Sequence, residues 1–70
     1  MSKIRVAVIG IGYLGEFHAQ KYKANKNAEL VAIVDTDRSR RDAISKKLGV
    51  KSYSTYESII NEVDAVSIVV

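Results

Sequence analysis

Three glycines near the N-terminus have the spacing of a phosphate-binding turn. Gly10, Gly12 and Gly15 follow the apolar run Ile4–Ile9 and open a stretch with helical periodicity. The first glycine permits a tight turn, the second lets backbone approach a ligand, and the third lets the helix pack closely. A helix N-terminus also presents unpaired N–H groups and the positive end of a dipole to an anion. The pattern therefore predicts a pyrophosphate site formed by Gly10, Ile11, Gly12, Tyr13, Leu14 and Gly15.

An acidic residue follows this turn at the distance that a dinucleotide site requires. Asp35 lies 20 residues after Gly15, at the end of the next apolar run. A carboxylate there is placed to accept hydrogen bonds from adenosine ribose hydroxyls and repels a 2′-phosphate, so the sequence favours NAD over NADP. Arg38, Arg40 and Arg41 come just downstream, and an arginine in that loop could accommodate the phosphate. The alternative is that these arginines decorate the exposed face of a helix, and NADP stays open as a cofactor.

The remaining residues that could carry chemistry have simpler explanations. His18 is the only histidine, and it shares a helical face with Gly15 and Ala19, which predicts a partly buried, hydrogen-bonded packing residue. The chain has no cysteine, so neither a disulfide nor a thiolate metal site is expected. Tyr13 and Phe17 lie on the opposite face, where they would contact the cofactor or another domain, or be ordinary surface residues. We predict no catalytic residue and no metal site.

The apolar pattern predicts strands and helices in alternation. Short, nearly continuous apolar runs are typical of strands in a parallel sheet covered on both faces. Alternating strands and helices predict an α/β fold with right-handed crossovers, here a Rossmann-type half-fold with strand order 3-2-1-4. The predicted strands are residues 4–9, 29–34, 50–53 and 65–70, and the predicted helices are residues 13–24, residues 38–48 and a short one that ends at residue 60.

Polar residues mark the ends of the later helices. Asp37 is a candidate N-cap for the second helix, and Gly49 comes just past its predicted end. Ser54 and Glu57 have the spacing of a capping box, which would open the short third helix.

The length of the chain bounds its organisation. With 70 residues it allows one small domain. The apolar run 65–70 predicts a last buried strand, yet nothing left in the chain would cover one of its faces. We therefore expect residues 1–70 to be the N-terminal part of a dinucleotide-binding domain, with the rest of that domain and a substrate domain absent. The alternative is a compact protein that ends here.

Composition and charge exclude several classes of partner. The net charge is +3, but the basic residues interleave with acids and lack an aromatic platform, so we expect no nucleic acid partner. Apolar runs are too short to span a membrane. The absence of cysteine suits a reducing cytoplasm. We also expect a homo-oligomer.

The N-terminal residues resemble the opening of the Gfo/Idh/MocA oxidoreductases. That family carries a glycine fingerprint followed three residues later by His-Ala, which here is His18 and Ala19. The segment from Leu48 to Tyr53, and that from Tyr56 through the Asp-Ala-Val run that starts at Asp64, are also similar, so the resemblance covers essentially the whole chain.

The resemblance implies a two-domain, NAD(P)-dependent enzyme that transfers a hydride to or from a sugar, a cyclitol or a related polyol. It also implies a catalytic lysine in a Glu-Lys-Pro motif that lies beyond Val70, so no catalytic residue is carried over and the chain alone is expected to be inactive. The residues carried over are the three glycines, the backbone of Tyr13 and Leu14, and Asp35. The alternatives are a non-catalytic NAD-sensing module and an excised half-fold, and the His-Ala extension speaks against the sensing module.

Overall fold

Strands and helices alternate along the chain as the apolar pattern predicts. A computed structural model describes residues 3–69. Its elements are β1 (Ile4–Ile9), α1 (Tyr13–Ala24), β2 (Ala28–Val34), α2 (Arg38–Leu48), β3 (Lys51–Tyr53), a 3₁₀ helix (Tyr56–Ser58) and β4 (Ala65–Ile68).

The four strands form one parallel sheet in the order β3-β2-β1-β4, which confirms the predicted fold class and strand order. β1 is central and pairs with both β2 and β4. Because Ile9 pairs with Val34 at the carboxyl ends of β1 and β2, the residues that follow these strands meet at one edge of the sheet. This pairing places the glycine turn beside Asp35.

Apolar side chains cover both faces of the two central strands. On one face, the buried core joins β1 and β2 to Ile11, Ala19 of α1 and Ile44 of α2. On the other face, Ile59 packs on the alternate residues of the same strands. Burial on both faces explains why these strands read as continuous apolar runs rather than as alternating ones.

The second helix has the ends that its sequence predicts. The Asp37 carboxylate accepts a hydrogen bond from the Arg40 N–H at 3.0 Å, which caps α2. At the other end, Gly49 adopts a left-handed conformation with φ 68° and closes the helix.

Two predictions on the last third of the chain are wrong. The capping box does not form, because Thr55 is the N-cap of a single 3₁₀ turn and makes no side-chain cap bond. The last strand is not buried: Val66 is 45% and Ile68 is 68% exposed, since β4 lies at the edge of the sheet and pairs with β1 alone. The uncovered face predicted for this strand is thus confirmed as far as Ile68, and Val70 lies outside the described residues.

Small shifts affect two other strands. β2 begins one residue earlier than predicted, at Ala28, and β3 begins at Lys51 rather than at Val50. Among the helices of residues 3–69, none has the length and apolar character needed to cross a membrane.

Candidate functional site

The first and third glycines of the turn are required by contacts within the protein. Gly10 has φ 91°, which disfavours any side chain, and a Cβ there would overlap the carbonyl oxygen of Val69. A Cβ at Gly15 would overlap the carbonyl oxygen of Gly10. Gly15 therefore lets α1 pack closely, as predicted, and its contact is with the turn itself.

The second glycine of the turn, Gly12, differs from Gly10 and Gly15. Its backbone angles, φ −65° and ψ −168°, are open to any residue. A Cβ at this position would have no heavy atom within 4 Å, so the space beside it is open. Neither conformation nor internal packing explains a glycine here.

The first turn of α1 offers unpaired backbone donors next to that space. The first helical bond runs from the Glu16 N–H to the Gly12 carbonyl at 2.8 Å, and no side chain caps the helix. The N–H groups of Tyr13 and Leu14 find no acceptor in the part of the chain that the structure describes. A helix N-terminus with free donors is an environment that favours an anion.

Ile11 is held on three sides. Its side chain is fully buried in the core. Its N–H donates to Asp35 Oδ2 at 2.7 Å, and its carbonyl oxygen accepts from Arg40 Nε at 2.8 Å. Both backbone groups of Ile11 are therefore already engaged by the protein.

Asp35 stands directly beside the turn at the end of β2. Its second oxygen, Oδ1, accepts from the Asp37 N–H at 2.8 Å. Burial raises the pKa of this carboxyl, but the hydrogen bonds from Ile11 and Asp37, together with the positive charges of Arg41 and Arg40, outweigh burial and hold the pKa below its ordinary value. The group is thus ionised at neutral pH. Since a carboxylate accepts about four hydrogen bonds, about two positions remain.

The three arginines after Asp35 do not act alike. Arg41 Nη1 donates to the carbonyl oxygens of Asp35 at 3.2 Å and of Thr36 at 3.4 Å. Arg40 is bound to the turn, whereas Arg38 is 84% exposed and lies 3.7 Å from Asp42. The view of all three as surface decoration is therefore wrong for Arg40 and Arg41, whose guanidinium groups donate to backbone carbonyls.

An ion cluster that was not predicted from the sequence joins the two helices. Glu16 Oε1 accepts from Arg40 Nη2 at 2.7 Å, and Glu16 Oε2 accepts from Lys47 Nζ at 2.7 Å. The Glu16 side chain is only 14% exposed. The spacing in the sequence could have indicated this cluster, because Arg40 lies four residues before the buried Ile44 and Lys47 three residues after it, which places all three on one face of α2.

An open groove runs from the glycine turn along the carboxyl ends of the strands. It has a volume of about 360 Å³ and includes Gly10, Asp35, Thr36 and Tyr56 in its lining. A groove of about 430 Å³ lies at the opposite end of the sheet, away from the turn. In open α/β sheets, ligands bind at the carboxyl ends of the strands, so the first groove is the relevant one.

The ring residues on α1 are mostly at the surface. Tyr13 is 90% and Phe17 is 54% exposed, as predicted, with the Arg40 guanidinium 5.2 Å from the Tyr13 ring centre and Lys21 Nζ 5.0 Å from that of Phe17. His18 is half-buried and stands edge-on to Phe17 at 6.3 Å between ring centres. The predicted hydrogen bond of His18 is absent within residues 3–69.

A parallel sheet in this order, with a glycine turn after β1 and an ionised acid after β2, defines a Rossmann-type fold. The model of the Gfo/Idh/MocA oxidoreductase family, described as an NAD-binding Rossmann fold, matches residues 4–70. The chain therefore belongs to this family. The family description confirms the resemblance seen in the sequence, the fold class and NAD as the cofactor class.

Similar proteins include sugar and cyclitol dehydrogenases. UDP-N-acetylglucosamine 3-dehydrogenase of Acidithiobacillus ferrooxidans is 39% identical over 69 residues, which are 99% of this chain and 21% of that protein. Myo-inositol 2-dehydrogenase of Thermotoga maritima is 39% identical over 66 residues, which are 90% of this chain and 20% of that protein. This chain thus spans about a fifth of the length of the curated relatives it matches.

The solved structures that are similar to this chain include enzymes of the same two kinds, a cyclitol dehydrogenase and a nucleotide-sugar dehydrogenase. The crystal structure of scyllo-inositol dehydrogenase from Lactobacillus casei with bound NAD(H) and scyllo-inositol has a TM-score of 0.86 and 27% identity, covering 99% of this chain and 22% of that one. The structure of the Acidithiobacillus ferrooxidans enzyme has a TM-score of 0.89 and 38% identity, covering 100% and 23%.

Proposed function

We propose that this chain supplies the cofactor-binding part of an oxidoreductase that transfers a hydride between a nicotinamide cofactor and a sugar, a cyclitol or a related polyol. Residues 1–70 would form the N-terminal part of the Rossmann domain, and a substrate domain would complete the enzyme. The family supports the reaction class, and the named substrates of the curated relatives, a nucleotide sugar and an inositol, support the substrate class.

The open space beside Gly12 is the observation that carries this proposal. Gly10 and Gly15 are explained by contacts inside the protein, and Gly12 is not. A pyrophosphate would fill the space and accept hydrogen bonds from the N–H groups of Tyr13 and Leu14. A dinucleotide therefore fits the residues present, with the groove toward Thr36 left for its adenosine.

The groups around Asp35 favour NAD over NADP. The free acceptor positions of its carboxylate would take the ribose hydroxyls, and its charge would repel a 2′-phosphate. Arg40 Nε and Arg41 Nη1 donate to backbone carbonyls, so these two donors are directed to the protein rather than to a 2′-phosphate.

When bound, the nicotinamide cofactor would supply the acceptor or donor for a hydride at the carbinol carbon of the substrate, while the proton of the carbinol hydroxyl would pass to a group outside residues 1–70. Residues of this chain would hold the adenosine and the pyrophosphate, and we assign none of them to catalysis. We also propose a cytoplasmic, homo-oligomeric enzyme, a location that suits a chain without cysteine.

Calorimetric titration of the full-length protein with NAD and NADP tests this proposal. We expect the wild type to bind NAD more tightly than NADP. Asp35→Ser should lower the ratio of the two dissociation constants, NADP over NAD, at least about tenfold, or ~1.4 kcal/mol, because the repulsion of the 2′-phosphate is lost. Asp42→Ser removes an exposed carboxylate from α2 and serves as the matched control, with an unchanged preference. An unchanged preference in Asp35→Ser would remove Asp35 from this role, and failure of the wild type to bind NAD would overturn the proposal.

A further inference from the structure

We propose that Arg40 is a positioning residue that fixes the direction of the Gly12 N–H group for the pyrophosphate of the cofactor. This inference rests on the proposed function and deepens it, because it assigns a role at the same turn to a residue of α2. Arg40 itself would not touch the cofactor.

The contact between Arg40 and the turn is made on a single peptide unit. Arg40 Nε donates to the carbonyl oxygen of Ile11 at 2.8 Å, and that carbonyl shares its peptide unit with the Gly12 N–H. No cis peptide bond occurs within residues 3–69, and in a planar trans unit the C=O and N–H groups point to opposite sides. A bond that holds the Ile11 carbonyl toward α2 therefore holds the Gly12 N–H away from α2.

The Gly12 N–H has no acceptor of its own in the described part of the chain. Rotation of its peptide plane would change ψ of Ile11 and φ of Gly12, and a glycine resists a change in φ less than any other residue does. A Cβ at Gly12 would meet no heavy atom within 4 Å, so side-chain packing does not confine this position. The Arg40 bond restrains this peptide unit, just as Asp35 restrains the preceding unit through the Ile11 N–H at 2.7 Å.

The structure holds Arg40 in place from two further directions. Nη2 donates to Glu16 Oε1 at 2.7 Å, Lys47 binds the other oxygen of Glu16, and the guanidinium lies 5.2 Å from the ring centre of Tyr13. The planar fork of an arginine serves two acceptors in a fixed geometry, whereas a lysine presents one compact charge. A lysine at position 40 would keep the charge without this geometry.

Titrations with ADP and with adenosine separate a positioning role from a general structural one. In the full-length protein, Arg40→Met should weaken ADP binding about tenfold, which corresponds to the loss of one hydrogen bond to a charged group. Adenosine, which has no pyrophosphate, should bind as it does to the wild type. Arg38→Met is the matched control, because it removes the same charge from an 84% exposed side chain of the same helix, and it should change neither affinity.

Arg40→Lys separates position from charge and replaces Arg40→Met if that variant does not fold. We expect its ADP affinity to stay several-fold below that of the wild type, and this deficit should persist at about 0.5 M salt, where long-range charge effects are screened. Full recovery with lysine, an equal loss for ADP and adenosine, or an effect no larger than that of Arg38→Met would each overturn the proposal. Failure of the wild type to bind NAD would instead overturn the proposed function.

Discussion

The two longer helices follow neighbouring strands, yet their first turns are completed differently. At α2, the Asp37 carboxylate accepts the Arg40 N–H at 3.0 Å and caps the helix. At α1, the N-cap is Gly12, which has no side chain to offer, although the space and the backbone angles there would accept one. We propose that the cap of α2 serves the fold, whereas the donors of α1 are left open for a ligand.

A large loss of stability is expected on substitution of Gly15. Replacement by alanine would press a Cβ onto the carbonyl oxygen of Gly10, and relief of that overlap should cost about 3 kcal/mol of the free energy of unfolding. Gly12→Ala is the matched control, since its Cβ meets no atom within 4 Å, and it should stay within about 0.5 kcal/mol of the wild type. Urea unfolding of the full-length variants measures both. Equal losses of stability in the two variants would contradict the distinction between Gly15, which internal packing requires, and Gly12, which it does not.

A smaller effect is expected at the cap of α2. Asp37→Ala leaves the Arg40 N–H without its acceptor and should lower the free energy of unfolding by about 1 kcal/mol, again measured in urea. The affinity for NAD should change less than twofold, because the open space beside Gly12 adjoins the first backbone N–H groups of α1 and not those of α2. Asp42→Ala, an exposed carboxylate on the same helix, is the control with no expected loss. A loss of NAD affinity without a loss of stability would reverse the roles of the two helices.

Local rules predicted most of the fold. The apolar runs, Asp37 and Gly49 determined the strands and α2 almost to the residue, because each acts through its own backbone or its nearest neighbours. The capping box at Ser54 failed because two residues with the right spacing do not by themselves make a helix: the segment forms a single 3₁₀ turn capped at Thr55 and followed by the buried Ile59. The edge position of β4 and its uncovered face were predicted, but the expected burial was not found, because an apolar run alone does not show whether another element covers it.

The candidate site was predictable only as far as its own motif. The glycine spacing and Asp35 are local features of strand ends. The hydrogen bonds from Arg40 to Ile11 and to Glu16 join residues that are 29 and 24 positions apart in the chain. Only the packing of α2 against α1 brings these residues together. The engaged Ile11 N–H follows instead from the pairing of β1 with β2, which places Asp35 beside the glycine turn.

Binding of NAD to the Gly12→Asp variant tests the central claim most directly. The added carboxylate would cap α1 as Asp37 caps α2, so the unliganded protein should be at least as stable as the wild type, by up to about 1 kcal/mol. The same carboxylate would occupy the open space and repel a pyrophosphate, so calorimetry should show a loss of NAD affinity of at least about 100-fold, or ~2.7 kcal/mol. A folded Gly12→Asp protein that binds NAD as tightly as the wild type would contradict the claim that this open turn holds the cofactor.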